Sequence, residues 1–233
     1  YATEVNPDEV PGYYSLMFTK KGSGITSIDD LAGRSFAFTD PASTSGYLVP
    51  ATDILIDQEF TDPAQIEDFA NVSFAGNHPT AVLSVWNDSI EAAATFDGNL
   101  AVQVEEAGIE LCGYEDMGID GPATAEEFPY LNAMTHDEIM AIYNDCPDGS
   151  LVVFHQSPLI PETPFAVRST LPESFKAAVR DALLAIADDQ ELVNELERYY
   201  VDPSEEAGVE TIDGLYDSLR DIALLLNIDL QAN

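Results

Sequence analysis

Positive charge is what this sequence has least of. Of 233 residues only 8 are Lys or Arg, against 43 Asp or Glu and 3 His, giving a net charge of −35 with the histidines neutral. Non-specific nucleic-acid binding works by releasing counterions to basic side chains, so that class is excluded. Attraction to an anionic lipid surface fails for the same reason. Long apolar runs are also missing, and nothing approaches the roughly 20 residues that a membrane helix needs. Cysteine is scarce. Neither Cys112 nor Cys146 sits in a C-x-x-C pair, and no His stands at ligand spacing from either, which argues against a zinc site. In an exported protein the two would form one disulfide; in a cytosolic one, two buried thiols. The sequence has no G-x-S-x-G elbow, no Walker loop and no G-x-G-x-x-G. No metal, cofactor or catalytic residue is expected.

What is present is ample material for a core. Hydrophobic residues make up 45% and aromatics 9%, spread along the chain, so disorder is excluded as a whole-chain reading. The acid excess suits brine, where unit charges repel over about 3 Å at 1 M salt instead of about 10 Å at 0.1 M. An ordinary acidic secreted protein is the alternative. The chain opens at Tyr1 without Met and reads as trimmed at its N-terminus.

Strand and helix patterns alternate. Strands are expected over 13–19, 35–39, 71–75, 90–96, 151–155 and 165–168, each rich in aromatic, β-branched or Ala residues. Helical spacing is expected over 47–55, 79–87, 99–108, 135–143, 172–187, 190–199 and 215–226, with a single turn at 27–33. Residues 113–133 read as an irregular acidic insertion bracketed by the cysteines. This order argues for an α/β fold with a largely parallel sheet.

Two loops carry the chemistry. Thr39-Asp40-Pro41-Ala42-Ser43-Thr44-Ser45-Gly46 joins a strand to a helix. Its consecutive hydroxyls and helix-terminal N–H groups make an anion site that needs no cation; simple N-capping is the plainer reading. Ala75-Gly76-Asn77-His78-Pro79 occupies the same kind of position, and His78 can donate to an anion there. Ligands of open parallel sheets collect outside the carboxyl ends of the strands, so two such loops make one pocket.

These residues resemble a known family. Pro11-Gly12-Tyr13-Tyr14-Ser15, Asp40 to Pro50 (D-P-x-S-T-S-G-Y-L-V-P), Ala75-Gly76-Asn77-His78 and Ser157-Pro158-Leu159-Ile160-Pro161 come in the order of the phosphonate/phosphite/phosphate-binding proteins that feed ABC importers. The resemblance runs from about Pro11 to about Arg180. It implies a two-lobed, periplasmic-binding-protein-like fold of mixed, mostly parallel sheets, with an oxyanion trapped between lobes. Residues 1–12 would be a remnant of the first lobe and crossover, and 13–163 the second lobe, with an acidic insertion at about 112–148. Residues 164–233 would be the return crossover and C-terminal helices of an incomplete first lobe.

The resemblance also implies roles. Ser43, Thr44, Ser45 and His78 would hold the phosphoryl oxygens, and Tyr13 would line the cleft. Aminoalkylphosphonate binders have two carboxylates for the ligand ammonium. Here Thr163 stands in place of one, and Gly98 aligns with the other, leaving Asp97 one position out of register. That pattern implies a ligand without an amine: phosphate, phosphite or a short alkylphosphonate. The implied protein is a non-enzymatic, monomeric solute-binding component that delivers its ligand to a membrane permease. It would be exported to the periplasm or the outer face of the cell membrane, with a lipid anchor conceivable in the missing N-terminus, and would carry a Cys112–Cys146 disulfide. A ligand-sensing module of a signalling receptor on the same fold is the alternative.

Overall fold

The computed structural model describes residues 2–5, 12–113, 134–205 and 207–228. Most of the acidic insertion, and Pro11 of the first resembling block, lie outside the described residues. In chain order the strands are β1 (Ala2–Val5), β2 (Gly12–Tyr13), β3 (Ser15–Lys20), β4 (Ser35–Phe38), β5 (Asn71–Phe74), β6 (Ala92–Phe96), β7 (Leu151–Gln156), β8 (Ile160–Pro161), β9 (Pro164–Phe165) and β10 (Tyr199–Val201). The α-helices are α1 (Val49–Asp57), α2 (Ala64–Phe69), α3 (His78–Trp86), α4 (Asp97–Ala107), α5 (His136–Asp145), α6 (Glu173–Leu184), α7 (Gln190–Leu196) and α8 (Asp217–Leu225). They fall into two compact units.

The larger unit takes in described residues 14–113, 134–158 and 219–228. Its sheet has the order β5-β4-β6-β3-β7. β4 runs parallel to β5 and β6, whereas β3 is antiparallel to β6 and β7, so the sheet is mixed. Leu16, Met17, Phe18, Phe36, Phe38 and Phe154 are essentially fully buried, as expected of strands covered on both faces. Phe36 and Phe38 meet edge to face at 5.0 Å, and Phe38 meets Tyr47 in the same way at 5.0 Å. Ala92, Ala93 and Ala94, the first three residues of β6, are fully buried. Cys112 and Cys146 are joined as a disulfide, their Cα atoms 5.7 Å apart, and Cys146 packs with Tyr143 and Val152. A capping box starts α5: Glu138 accepts from the N–H of Thr135 at 2.8 Å, while Thr135 caps the N–H of Glu138.

The smaller unit takes in described residues 2–5, 12–13 and 159–218 apart from 206. It holds an antiparallel sheet of order β10-β1-β9 and the two-stranded β2-β8 pair. Tyr216 donates to the carbonyl of Glu162 at 2.6 Å, and Arg180 meets Asp202 at 2.5 Å.

The division differs from the expected one at the C-terminus. Residues 219–228 group with the larger unit, where Leu226 joins the main core and Ile222 and Ile228 pack against it. The expected second break at 164 falls at 159. The helix expected over 190–199 stops at Leu196, because Glu197 takes a left-handed conformation (φ 54°) and the chain turns into β10.

Candidate functional site

The serine loop begins where β4 ends. Asp40 organises the turn: its Oδ1 accepts from Ala42 N at 2.8 Å, and its carbonyl accepts from Ser43 N at 2.9 Å. Ser43 is extended and caps the following helix, its Oγ accepting from Gly46 N at 3.0 Å. Thr44–Leu48 then wind as a π-helix that runs directly into α1.

Pro50 explains the wide turn. It has no N–H, so the carbonyls four and five residues back lose their usual helical partner. Both are taken by other donors. Ser45 O accepts from Ser15 Oγ at 2.7 Å, and Gly46 O accepts from Thr39 N at 3.0 Å. The first turn leaves the N–H groups of Thr44 and Ser45 without intrahelical acceptors, the arrangement in which a helix start suits an anion.

The second loop is tied to the first by continued parallel pairing. Beyond the Phe38↔Phe74 register, Ala75 N bonds Phe38 O at 2.8 Å and Gly76 N bonds Thr39 O at 2.7 Å. Gly76 turns with φ +87°, Asn77 caps α3 by accepting from Thr80 N at 2.8 Å, and His78 follows as the first helical residue. His78 Nε2 thereby lies 3.2 Å from Ser43 Oγ. Its Nδ1 lies 3.0 Å from Thr95 Oγ1 at the end of β6, and Thr95 Oγ1 also accepts from Asn99 Nδ2 at 3.0 Å. The ring stands edge-on to Phe96, with centroids 4.8 Å apart. Burial pushes the imidazole below its ordinary value of 6.5, favouring the neutral ring. The described partners of Ser43 and His78 are all neutral.

Asp97 opens α4 and is buried. Its Oδ1 accepts from Gly98 N at 3.0 Å, and its N–H bonds the carbonyl of Tyr14 at 3.2 Å. The Tyr14 hydroxyl is pushed up to about 12 by burial and, secondarily, by the Asp97 charge.

Residues 1–210 match the family of periplasmic substrate-binding proteins of phosphonate ABC transporters. The chain belongs to that family. A relative named as the phosphonates-binding periplasmic protein of Escherichia coli K12 is 26% identical over 202 residues, covering 85% of this chain and 47% of that protein. A phosphate-import protein of Mycolicibacterium smegmatis is 31% identical over 90 residues, 37% of this chain and 28% of that protein. The chain thus spans about half or less of the curated relatives it matches. Among solved structures, a Prochlorococcus marinus protein in complex with methylphosphonate aligns with a TM-score of 0.55 at 13% identity, covering 97% of this chain and 72% of that one. That likeness supports the two-lobed α/β fold of the family.

Within this family member, the sequence-derived residues divide by unit. Ser43, Thr44, Ser45, His78 and Asp97 belong to the larger unit, where Ser43 and His78 are in direct contact. Ser45 is buried and Thr44 half-buried. Tyr13, half-buried on β2 opposite Ile160, belongs to the smaller unit, as does the exposed Thr163, whose carbonyl accepts from Glu4 N at 3.2 Å. Sequence reasoning missed Thr95, Asn99 and Ser15. The signal for Thr95 was weak but present: it stands one residue before the end of β6 and Thr39 one residue beyond the end of β4, each a hydroxyl near the carboxyl end of its strand.

A cavity of about 320 Å³ lined by Lys20, Lys21, Asp88 and Glu91 lies at the other end of these strands. Its lysines are engaged, Lys20 with Asp88 at 2.7 Å and Lys21 with the carbonyl of Tyr143 at 2.5 Å. It is separate from the serine loop.

Proposed function

We propose that this chain is the solute-binding component of an ABC importer, and that its ligand is a small phosphorus oxyanion: phosphate, phosphite or a short alkylphosphonate. The observation that carries this reading is the 3.2 Å contact of Ser43 with His78, where two strand-to-helix loops end side by side. Hydroxyls, helix-terminal N–H groups and a neutral imidazole match the acceptors of an oxyanion without a free cation. The ligand is carried unchanged to a membrane permease. The names of the two curated relatives, one for phosphonates and one for phosphate import, support this ligand class. Thr44, Ser45 and Tyr13 join the ligand set by family resemblance. The protein would act as a monomer in the periplasm or at the outer face of the membrane.

The ligand lacks an amine on this reading. A buried ammonium needs a carboxylate, and Thr163 stands where the family has one. Asp97 Oδ1 is already turned to Gly98 N at 3.0 Å. Calorimetric titration in molar salt with phosphate, phosphite, methylphosphonate and aminoethylphosphonate tests both points. Aminoethylphosphonate is expected to bind about tenfold more weakly or worse, and each hydroxyl removed in Ser43→Ala, Thr44→Ala or Ser45→Ala should cost about ten- to hundredfold in affinity. An unchanged dissociation constant in the triple variant overturns the site. A preference for aminoethylphosphonate overturns the ligand class, and no binding of any of the four overturns the function.

A further inference from the structure

We infer that Thr95 and Asn99 set the tautomer of His78, holding its proton on Nε2 so that the ring donates to Ser43 and the Ser43 hydroxyl presents its hydrogen to the bound anion. The purpose assigned to this arrangement rests on the oxyanion reading above, whereas the tautomer is a property of the ligand-free chain.

The hydrogens available at Thr95 carry the argument. Thr95 is fully buried, and its Oγ1 meets two nitrogens, Asn99 Nδ2 and His78 Nδ1, each at 3.0 Å. The amide NH2 of Asn99 can only donate, so it occupies one lone pair of the Thr95 oxygen. A proton on His78 Nδ1 would be donated to that same oxygen. The hydroxyl hydrogen of Thr95 would then point into the core with no acceptor among the described residues. Leaving a buried donor unpaired costs more than an ordinary hydrogen bond returns. With the proton on Nε2 the conflict disappears: Thr95 accepts from Asn99 and donates to the bare Nδ1.

The consequence appears on the opposite edge of the ring. Ser43 Oγ already accepts from Gly46 N at 3.0 Å, and Nε2 lies 3.2 Å away. Donation from Nε2 fills the second lone pair, which turns the Ser43 hydroxyl hydrogen outward. In the other tautomer Ser43 would give that hydrogen to Nε2, and the site would lose the donor it offers the anion. Burial keeps the ring neutral near pH 7, so the tautomer, rather than full protonation, decides what the loop offers an anion. Thr95 and Asn99 are thus positioning residues, acting on the ligand through His78.

Long-range proton–nitrogen NMR correlation on the ¹⁵N-labelled, ligand-free chain in molar salt reads which ring nitrogen carries the proton. It is run at about pH 8, above the ordinary imidazole range, with the His78 signal assigned by its loss in His78→Gln. The expected result is Nε2–H in the unaltered chain and in Thr95→Ser. Thr95→Val removes the donor to Nδ1, so Nε2–H ceases to be the sole tautomer. Asn99→Asp replaces a donor by an acceptor that draws the Thr95 hydrogen to itself, so Nδ1 becomes protonated. Affinity for methylphosphonate and inorganic phosphate is expected to fall about tenfold or more in Thr95→Val and Asn99→Asp, and to return in Thr95→Ser. A proton on Nδ1 of the unaltered chain overturns the inference, as does Nε2–H persisting in both Thr95→Val and Asn99→Asp. If Thr95→Val does not fold, the unaltered chain, Thr95→Ser and Asn99→Asp still decide. Nε2–H in a chain that binds neither phosphate, phosphite nor methylphosphonate removes the ligand assignment and leaves the tautomer standing.

Discussion

At the scale of single residues, the serine loop depends on a missing side chain. A Cβ on Gly46 would lie 1.7 Å from Thr39 Oγ1 and 2.8 Å from Ser43 Oγ, so only glycine lets the helix start close against the end of β4. Gly46 and the three hydroxyls before it were legible in the sequence because they are contiguous. His78 was legible because it repeats their strand-to-helix position. Thr95 was legible only as a hydroxyl near the end of a strand and Asn99 not at all, since neither acquires a partner until sheet pairing brings β6 beside β4. His78 itself makes a pH-dependent contribution with a definite sign. The unfolded chain takes up the imidazole proton near the ordinary 6.5, and the folded chain only at lower pH, because burial disfavours the charged ring. Between those two values the unfolded state binds more protons, so this group destabilises the fold as pH falls. Melting curves of the unaltered chain and His78→Gln, taken in molar salt from about pH 8 to about pH 5, isolate the effect because their carboxylates are common. The stability of the unaltered chain relative to the variant should be constant at the upper end and decline as pH falls through 6.5. A difference independent of pH would show that His78 titrates alike in both states.

Among the elements, the π-helical turn at Thr44–Leu48 shows how one proline shapes a site. The sequence pattern tolerated Pro50 in an opening turn, but it gave no hint that the carbonyls deprived of an N–H would be satisfied from β3 and β4. Ser15 Oγ fills this role for Ser45 O at 2.7 Å in a buried setting. Ser15→Ala should therefore cost about 1–3 kcal/mol, the range for a buried acceptor left unpaired. Pro50→Ala supplies a backbone N–H that can reach the same carbonyl. In that background Ser15→Ala should cost less, with a coupling of at least about 0.5 kcal/mol in a denaturation double-mutant cycle. Strictly additive costs would mean that the carbonyl has another partner. The same logic separates what the sequence revealed of the fold from what it hid. Strands β3, β4, β5, β6 and β7 announced themselves as short aromatic or aliphatic runs between turn residues. The end of α7 did not, because the residue that stops it is Glu197 in a left-handed conformation rather than a glycine. The helical spacing consequently runs on to Tyr199, the first residue of β10. The apolar stripe of α8 was visible, but periodicity identifies a buried face without saying which core it joins. Ile222 and Leu226 settle with the larger unit.

For the whole molecule, charge sets the terms on which an anion arrives. The chain carries −35 with only 8 Lys and Arg. Lys20, Arg34, Lys176, Arg180 and Arg198 each already stand against a carboxylate, so little of that positive charge is left to attract a ligand. On the proposed reading the Ser43–His78 site holds an oxyanion through short-range hydrogen bonds, which act only after the ligand has crossed a repulsive field. Ordinary steered association slows as salt is added, because screening removes an attraction. Here screening removes a repulsion, and the range of that repulsion shrinks from about 10 Å at 0.1 M to about 3 Å at 1 M. The association rate constant for methylphosphonate, measured by stopped flow, should therefore rise with sodium or potassium chloride alike. The dissociation rate constant should change far less, since the hydrogen bonds at Ser43 and His78 lie inside the site and are screened little. A dianion should gain more from salt than a monoanion, so the enhancement should grow with pH across the second ionisation of the ligand. An association rate that falls with salt would mean that a positive local field outweighs the net charge, and that the neutral-donor account of the site is wrong.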